Sequence, residues 1–454
     1  MTMSAVPDYL EHLARFVALT PIGDIPAPVL ERTKAILVDS LPVYATGMRS
    51  PQMVALCERQ IAAASPGRSW VIGSGGTSNA LDAAMLNGIA GAWLDFDEGN
   101  TLANGHPGVQ VIPAALAVAQ ERGLPGRELL ATIALAYEAV ARVGMATRPK
   151  LIVNPHGTYG VIGAALATAR LTGLAPGELR NLASLAASCC MATNRHTMRD
   201  GATVRNWYAG HSGFMGQMAV RMAAAGFSGP ADGVATTFSL VLGDGFSPDV
   251  AVANLGRRWL LMEGYLKLYP TARYAHSVID ALFDALAKVS GGRLDHDAIE
   301  RIDVRAYKMA AYLSNPAPRD WFGTRFSVQF ALATLIVGGR DDLAAFGDEA
   351  VADARVMALA GRVALAEDES FSAAYPAAQR VHVVIHLRDG TRFEGRCETT
   401  SGEPARPHAA SALARKYRDL ALPLWGEARA AQLREALLNI QACPDVSRLT
   451  DFNP

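Results

Sequence analysis

The sequence predicts a mainly α-helical protein with a smaller α+β domain. Apolar residues recur at helical spacing through most of the first 260 residues, and strand-like alternation appears only after about residue 290. The chain of 454 residues is also too long for one ordinary core. We predict an all-helical domain at 1–264, to which the helical tail 405–454 returns, and an α+β domain at 265–404.

Three segments show the helical pattern most clearly. Residues 26–47 and 126–148 place apolar side chains close to helical spacing, and residues 212–229 pass through Gly226, a typical helix stop. All three are rich in alanine and other small residues, which favour helix and allow helices to approach closely. They predict a compact helical domain.

The clearest strand signal lies at residues 380–398. Val381, Val383 and Ile385 alternate with more polar positions, Asp389-Gly390 supplies a hairpin turn, and alternation resumes after it. Residues 302–306 alternate in the same way. Residues 326–339 and 354–365, between these strands, are expected to be helical. Strands interleaved with helices predict the α+β domain.

Composition excludes several classes of function. Half of the residues are hydrophobic, 19 % are charged and the formal net charge is −1, so no nucleic-acid partner is expected. Five cysteines without a CxxC motif argue against a disulfide framework or a zinc site and favour a reducing cytoplasm. The N terminus lacks the features of a signal peptide, and no uninterrupted apolar stretch reaches membrane-spanning length. We therefore expect a cytoplasmic protein that does not associate with a membrane.

Acidic residues and a histidine cluster after a predicted helix. Asp95, Asp97 and Glu98 are followed by a polar turn and by His106-Pro107. A carboxylate here can orient an imidazole or bind a metal, and Asp95 is the acid expected to orient the imidazole of His106. Helix termination with solvated acids explains the same pattern, so both interpretations stay open.

Three further polar clusters precede predicted helices. Their candidate residues are His156 in the first, Arg205 and Tyr208 in the second, and Lys267, Arg273 and Tyr274 in the third. An arginine near a helix start can bind a carboxylate with two parallel hydrogen bonds, and a lysine among apolar residues can act as a base. A helix cap, a surface salt bridge and a solvated lysine are the structural alternatives. Cations outnumber acids in these clusters, which suits a small polycarboxylate.

Five stretches, in chain order, resemble elements of the MmgE/PrpD family. They are NGIAGAWLDFDE with the later HPG, HGTYGVIGAALATARLTGL, GATVRNWYAGHSGFMGQMAVRMAAAGFSGP, KLYPTARYAHSVIDAL and RFSVQFALATLIVGG. The resemblance implies a helical domain built from both chain ends, an inserted α+β lid, an active site between them, a homodimer, and chemistry without a cofactor or metal.

The resemblance also places Asp95, His106, His156 and Lys267 at catalytic positions, while Gly99 replaces a threonine of the family pattern. It implies a cofactor-independent lyase, dehydratase-like or a decarboxylase, that removes a proton next to a carboxylate of a small di- or tricarboxylate. One alternative is an epimerase acting on an iminodisuccinate-like amino-polycarboxylate, and another is a non-catalytic binding protein on the same fold. A metal-dependent hydrolase built on the acidic cluster is a poorer option.

Overall fold

The computed structural model describes residues 8–453. Two predictions fall partly outside these residues: the domain ranges that begin at residue 1 and end at residue 454, and the absence of a signal peptide. Within the described residues the predicted fold class is confirmed, since helices dominate and one small sheet belongs to the second part of the chain.

The region before residue 265 consists mostly of helices that pack on one another. Their bounds are α1 Asp8–Leu19, α2 Ala27–Met48, α3 Pro51–Ala63, α4 Ala80–Trp93, α5 Pro107–Glu121, α6 Gly126–Ala146, α7 Gly160–Thr172, α8 Leu179–Ser188, α9 His196–Arg199, α10 Trp207–Ala224, α11 Gly233–Thr236 and α12 Pro248–Val252. The three helices predicted from periodicity are therefore confirmed as α2, α6 and α10.

An entirely helical region was expected here, but the region also contains strands. It contains two short antiparallel strand pairs, β1 (Ser69–Val71) with β2 (Gly76–Ser78) and β3 (Thr147–Pro149) with β4 (Gly243–Phe246). Strands of three or four residues are too short to show alternation, so periodicity could not reveal them.

The second region contains a four-stranded sheet covered by helices. Its strands are β5 Ile299–Ala306, β6 Val363–Glu367, β7 Val381–Leu387 and β8 Arg392–Cys397, and its helices are α13 Arg273–Leu286, α14 Lys308–Ala311, α15 Trp321–Thr324, α16 Val328–Gly338, α17 Asp348–Ala352, α18 Ala354–Ala360 and α19 Glu369–Ala374. The strand order is β6-β5-β7-β8, with β5 and β6 parallel and the other pairs antiparallel. The predicted strands and hairpin are confirmed. The helix predicted over residues 354–365 is wrong in its second half, because β6 begins at Val363.

The tail forms one long helix, α20 (Ala410–Leu438), which is kinked at Gly426. Buried apolar residues form two separate clusters. One joins residues of the first region to tail residues such as Leu420 and Leu433, and the other surrounds the four-stranded sheet. The predicted domain boundaries at residues 264 and 404 stay a prediction, which this division of the core supports.

Helix α6 is long and apolar enough to meet the length and composition of a membrane span. However, 94 % of its most apolar window is buried inside the protein. Its neighbours include α5 and α7. Its apolar character is therefore that of a central core helix.

Candidate active site

One cavity is lined by residues from both regions of the chain. From the helical region come Asp95, Asn100, Thr101, Asn104, Gly105, His106, Asn154, Pro155, His156, Arg195, Met198 and Arg205; from the remainder come Tyr265, Ala272, Arg273, Tyr274, Tyr307, Phe326, Tyr375, Gln379, Thr400 and Glu403. Six of the eight predicted site residues therefore share one cavity. The other two, Lys267 and Tyr208, are not among the described residues that line it.

Asp95 lies in a turn directly after α4 and forms an ionic cluster. Its φ angle of 50° is in the left-handed region, which aspartate tolerates better than most residues and which reverses the chain. Its Oδ1 accepts a hydrogen bond from Arg205 Nη2 at 2.7 Å, and its Oδ2 accepts one from Lys267 Nζ at 3.1 Å. Burial raises the pKa of Asp95, but the charges of Lys267 and Arg205 outweigh burial and hold it below its usual value. Asp95 is therefore ionised.

Asp97 connects this ionic cluster to both histidines. Its Oδ2 lies 3.0 Å from His106 Nδ1 and 3.7 Å from His156 Nε2, and its Oδ1 lies 3.8 Å from Lys267 Nζ. Burial raises the pKa of Asp97, yet the charges of His106 and Lys267 bring it well below its usual value. The structure therefore gives the contacts with both imidazoles to Asp97 and not, as expected, to Asp95.

His106 is held at the start of α5. Pro107 occupies the first helical position, where its missing N–H costs nothing, and Gln110 Nε2 donates to the His106 carbonyl at 2.9 Å. The Nδ1 atom of His106 lies 2.6 Å from the Glu98 carbonyl oxygen as well as near Asp97. Because both neighbours are acceptors, Nδ1 carries the proton.

His156 lies in the turn before α7 and is oriented by Asn154. The Asn154 Oδ1 atom lies 3.0 Å from both the His156 backbone nitrogen and His156 Nδ1. An amide oxygen accepts, so Nδ1 carries the proton and Nε2 keeps a free electron pair. Burial, with the charge of Arg205, lowers the pKa of His156 to about 3. The ring is therefore neutral near pH 7 and able to accept a proton at Nε2.

The close packing of α7 on α5 also fixes this turn. A Cβ atom added at Gly160 would lie 2.3 Å from Gln110 Oε1. The same oxygen accepts hydrogen bonds from Gly157 N at 3.0 Å and Ser212 Oγ at 2.9 Å. Because residue 160 has no side chain, Gln110 can approach closely enough to bond both the backbone of His106 and the loop that carries His156.

Glu98 lies behind the histidines. It accepts hydrogen bonds from Tyr137 and from Gly108 N, and it is 1 % exposed. Burial, and then the neighbouring charge of Asp97, raise the pKa of Glu98 to about 8. Near pH 7 this carboxyl is neutral, which lets an acid remain buried beside the ionised Asp97.

The remaining predicted residues have distinct surroundings. Lys267 Nζ also donates to the Asp95 carbonyl at 2.8 Å and is fully buried behind Asp95. Arg273 donates to Glu403 at 2.9 Å and lies over the ring of Tyr265. Tyr274 packs edge-on against two other cavity tyrosines.

Tyr208 lies outside the cavity lining. Its backbone carbonyl accepts a hydrogen bond from Ser212 Oγ at 3.5 Å. A role for Tyr208 in substrate binding stays a prediction that the cavity lining does not support.

Tyr265 is a cavity residue that the sequence did not indicate. Its backbone pairs with Gly99 through hydrogen bonds of 2.8 and 3.1 Å. A Cβ atom at Gly99 would lie 2.3 Å from the Tyr265 hydroxyl oxygen, so the absence of a side chain at 99 admits the ring. Burial raises the pKa of Tyr265 well above its usual value, so its hydroxyl remains a donor. The signal was present as Gly99, where the family pattern has threonine.

Asp97, His106 and His156 also satisfy the composition of a metal site, since one donor atom from each lies within 4.8 Å of the others. Lys267 is already 3.8 Å from Asp97, and the Arg205 charge acts on His156. A metal held by these three residues would therefore lie close to two cations.

The chain is similar in sequence to several known enzymes. A cis-aconitate decarboxylase of Aspergillus terreus is 23 % identical to this chain over 456 residues, covering 94 % of this chain and 92 % of that protein. A mouse cis-aconitate decarboxylase is 26 % identical over 364 residues, covering 74 % and 70 %. A 2-methylcitrate dehydratase of Salmonella typhimurium is 24 % identical over 353 residues, covering 70 % of each chain.

Two family models account for most of the chain. The MmgE/PrpD N-terminal domain matches residues 11–246, and the MmgE/PrpD C-terminal domain matches residues 269–442. The relatives named above are enzymes, a decarboxylase and a dehydratase. On the strength of both models, this chain belongs to the MmgE/PrpD family.

Proposed function

We propose that the chain is a cofactor-independent lyase that removes a proton from the carbon next to a carboxylate of a small di- or tricarboxylate. The observation that carries this proposal is the neutral imidazole of His156, oriented by Asn154, with Nε2 near the ionised Asp97. The names of the relatives, cis-aconitate decarboxylase and 2-methylcitrate dehydratase, support a small polycarboxylate as substrate.

In this mechanism His156 Nε2 takes the proton, and the electron pair of the broken C–H bond forms a carbon–carbon double bond. Hydroxide leaves the neighbouring carbon and, with the proton that His156 has taken, forms the water that is released. Asp97 stabilises the imidazolium that forms, because its carboxylate oxygen is 3.7 Å from Nε2. Lys267 is assigned to positioning Asp95 and Asp97, since it is buried behind them and does not line the cavity.

The placement of the histidines favours a lyase over the alternative epimerase. An epimerase that uses two bases needs them on opposite faces of the reacting carbon. The rings of His106 and His156 stack with centroids 4.8 Å apart and 25° between planes, so they form one wall of the cavity. Proton removal and return on one face retains configuration, whereas proton removal followed by loss of a leaving group gives elimination.

A panel of polycarboxylates in heavy water tests the proposal. The panel contains cis-aconitate, 2-methylcitrate, citrate and amino-dicarboxylates, and products are identified by NMR. Loss of water supports the proposed lyase, whereas loss of carbon dioxide alone would support a decarboxylase, in which a carbon gains a proton instead of losing one. Inversion with deuterium incorporation supports the epimerase, and no reaction with any acid supports a binding protein. Loss of turnover with a chelator would instead support metal-dependent chemistry. The homodimer and the cytoplasmic location stay predictions.

A further inference from the structure

Arg195 is a cavity residue that the sequence analysis did not single out. It is 5 % exposed, and it lies in the loop between α8 and α9. Its backbone nitrogen donates to Ile152 O at 2.7 Å, and its Nε donates to Val153 O at 2.8 Å. These bonds join Arg195 to the same loop that carries Asn154 and His156, so the guanidinium and the imidazole are held in a fixed relation.

The charge of Arg195 is not neutralised by the surrounding side chains. The other two arginines of the cavity have acidic partners, Arg205 with Asp95 at 2.7 Å and Arg273 with Glu403 at 2.9 Å. Among residues 8–453, Arg195 forms no ion pair, and Nε is the only one of its side-chain nitrogens with a hydrogen bond to the protein. Its terminal nitrogens are thus available to an occupant of the cavity.

A buried cation without a partner is costly, because desolvation is not repaid by a nearby anion. The ionic cluster of Asp95, Asp97, Arg205 and Lys267 is balanced, with two negative and two positive charges. Arg195 therefore leaves the cavity with one uncompensated positive charge. A guanidinium binds a carboxylate through two parallel hydrogen bonds, so an anionic ligand would supply what the protein does not.

We propose that Arg195 is the receptor for a substrate carboxylate remote from the carbon at which His156 acts. This inference rests on the proposed function for the reacting end of the substrate. It assigns one carboxylate of the di- or tricarboxylate to Arg195 and leaves the other end of the molecule to His156. Arg205, whose Nη2 is occupied by Asp95, is left to position that acid rather than to bind substrate.

Binding of propane-1,2,3-tricarboxylate, measured by calorimetry, tests the inference independently of turnover. The variants are Arg195→Met and Arg195→Lys, and the control is Arg199→Met, an exposed arginine four residues away. Loss of charge-assisted hydrogen bonds predicts affinity about 10- to 100-fold weaker for Arg195→Met, with partial recovery in Arg195→Lys and no change in the control. For any acid turned over, Arg195→Met raises KM more than it lowers kcat.

Thermal unfolding separates this role from a structural one. A receptor predicts that the tricarboxylate raises the unfolding temperature of the wild type and of Arg199→Met but not that of Arg195→Met. Equal affinity in wild type and Arg195→Met, or no binding to the wild-type protein, overturns the inference. Binding that depends on Arg195 without turnover of any acid would leave the inference standing and reject the lyase.

Discussion

The imidazole of His156 stacks on that of His106, with 4.8 Å between ring centroids, although 50 positions separate the two residues in the chain. Asp97 contacts both rings through one oxygen atom. The two histidines therefore share one anionic partner.

Replacing Asp97 with asparagine removes that partner and leaves the shape almost unchanged. We expect Asp97→Asn to lower kcat by roughly 10²- to 10⁴-fold, since the imidazolium formed during proton transfer loses its stabilising charge. Asp303→Asn is the matched control, because Asp303 contacts His386 at 2.8 Å on the sheet, away from the cavity. Steady-state rates of all three proteins check this, and equal losses in both variants would contradict it.

Lys267 is expected to matter for stability as well as activity. Lys267→Met leaves Asp95 with one cation fewer in a fully buried position, and breaking such a pair costs about 3–5 kcal/mol. Asp95→Asn combined with Lys267→Met should recover part of this loss. Lys288→Met, which removes an exposed pair with Asp284, should cost about 1 kcal/mol or less. Urea unfolding measures each value; a loss for Lys267→Met no larger than for Lys288→Met would refute the assignment.

Threonine at position 99 should displace the ring of Tyr265. A Cβ atom there would lie 2.3 Å from the hydroxyl oxygen and 2.5 Å from Cζ. We expect Gly99→Thr to lower kcat/KM, and Tyr265→Ala to add little to it, because both changes remove the same ring from the cavity. Gly23→Thr, with open space around its Cβ, is the control. Fully additive losses in the double variant would show that the two residues act separately.

Acid should destabilise the protein partly through His156. Its pKa is about 3 in the folded protein and 6.5 in the unfolded chain, so between these values the unfolded chain binds more protons. The contribution of His156 to stability is therefore complete above pH 6.5 and decreases as the pH falls towards 3, by at most about 1.4 kcal/mol per pH unit. His156→Asn should lose less stability than wild type between pH 7 and 4.5. Urea unfolding at several pH values measures this, and an equal loss of unfolding free energy in wild type and His156→Asn over this pH range would contradict it.

The sequence predicted the fold class, the main helices and six cavity residues, because those features depend on local periodicity and on motifs at helix starts. It missed β6, whose alanine-rich sequence shows strand character only when β6 pairs with β5. It assigned the imidazole contacts to Asp95, because the left-handed turn at that residue, which decides where each acid points, leaves no periodic signal. Arg195 was missed because the feature that distinguishes it, burial in the cavity without an acidic partner among the described residues, depends on the tertiary structure and leaves no pattern in the sequence.

Deuterium exchange tests the central claim, proton removal by His156, most directly. The acid that wild-type protein turns over is incubated in heavy water with wild type, His156→Asn and His382→Asn, a histidine paired with Glu394 on the sheet. We predict that hydrogen next to a carboxylate exchanges or is lost with wild type and His382→Asn, and that His156→Asn is at least about 100-fold slower. Exchange at the wild-type rate in His156→Asn would contradict the account.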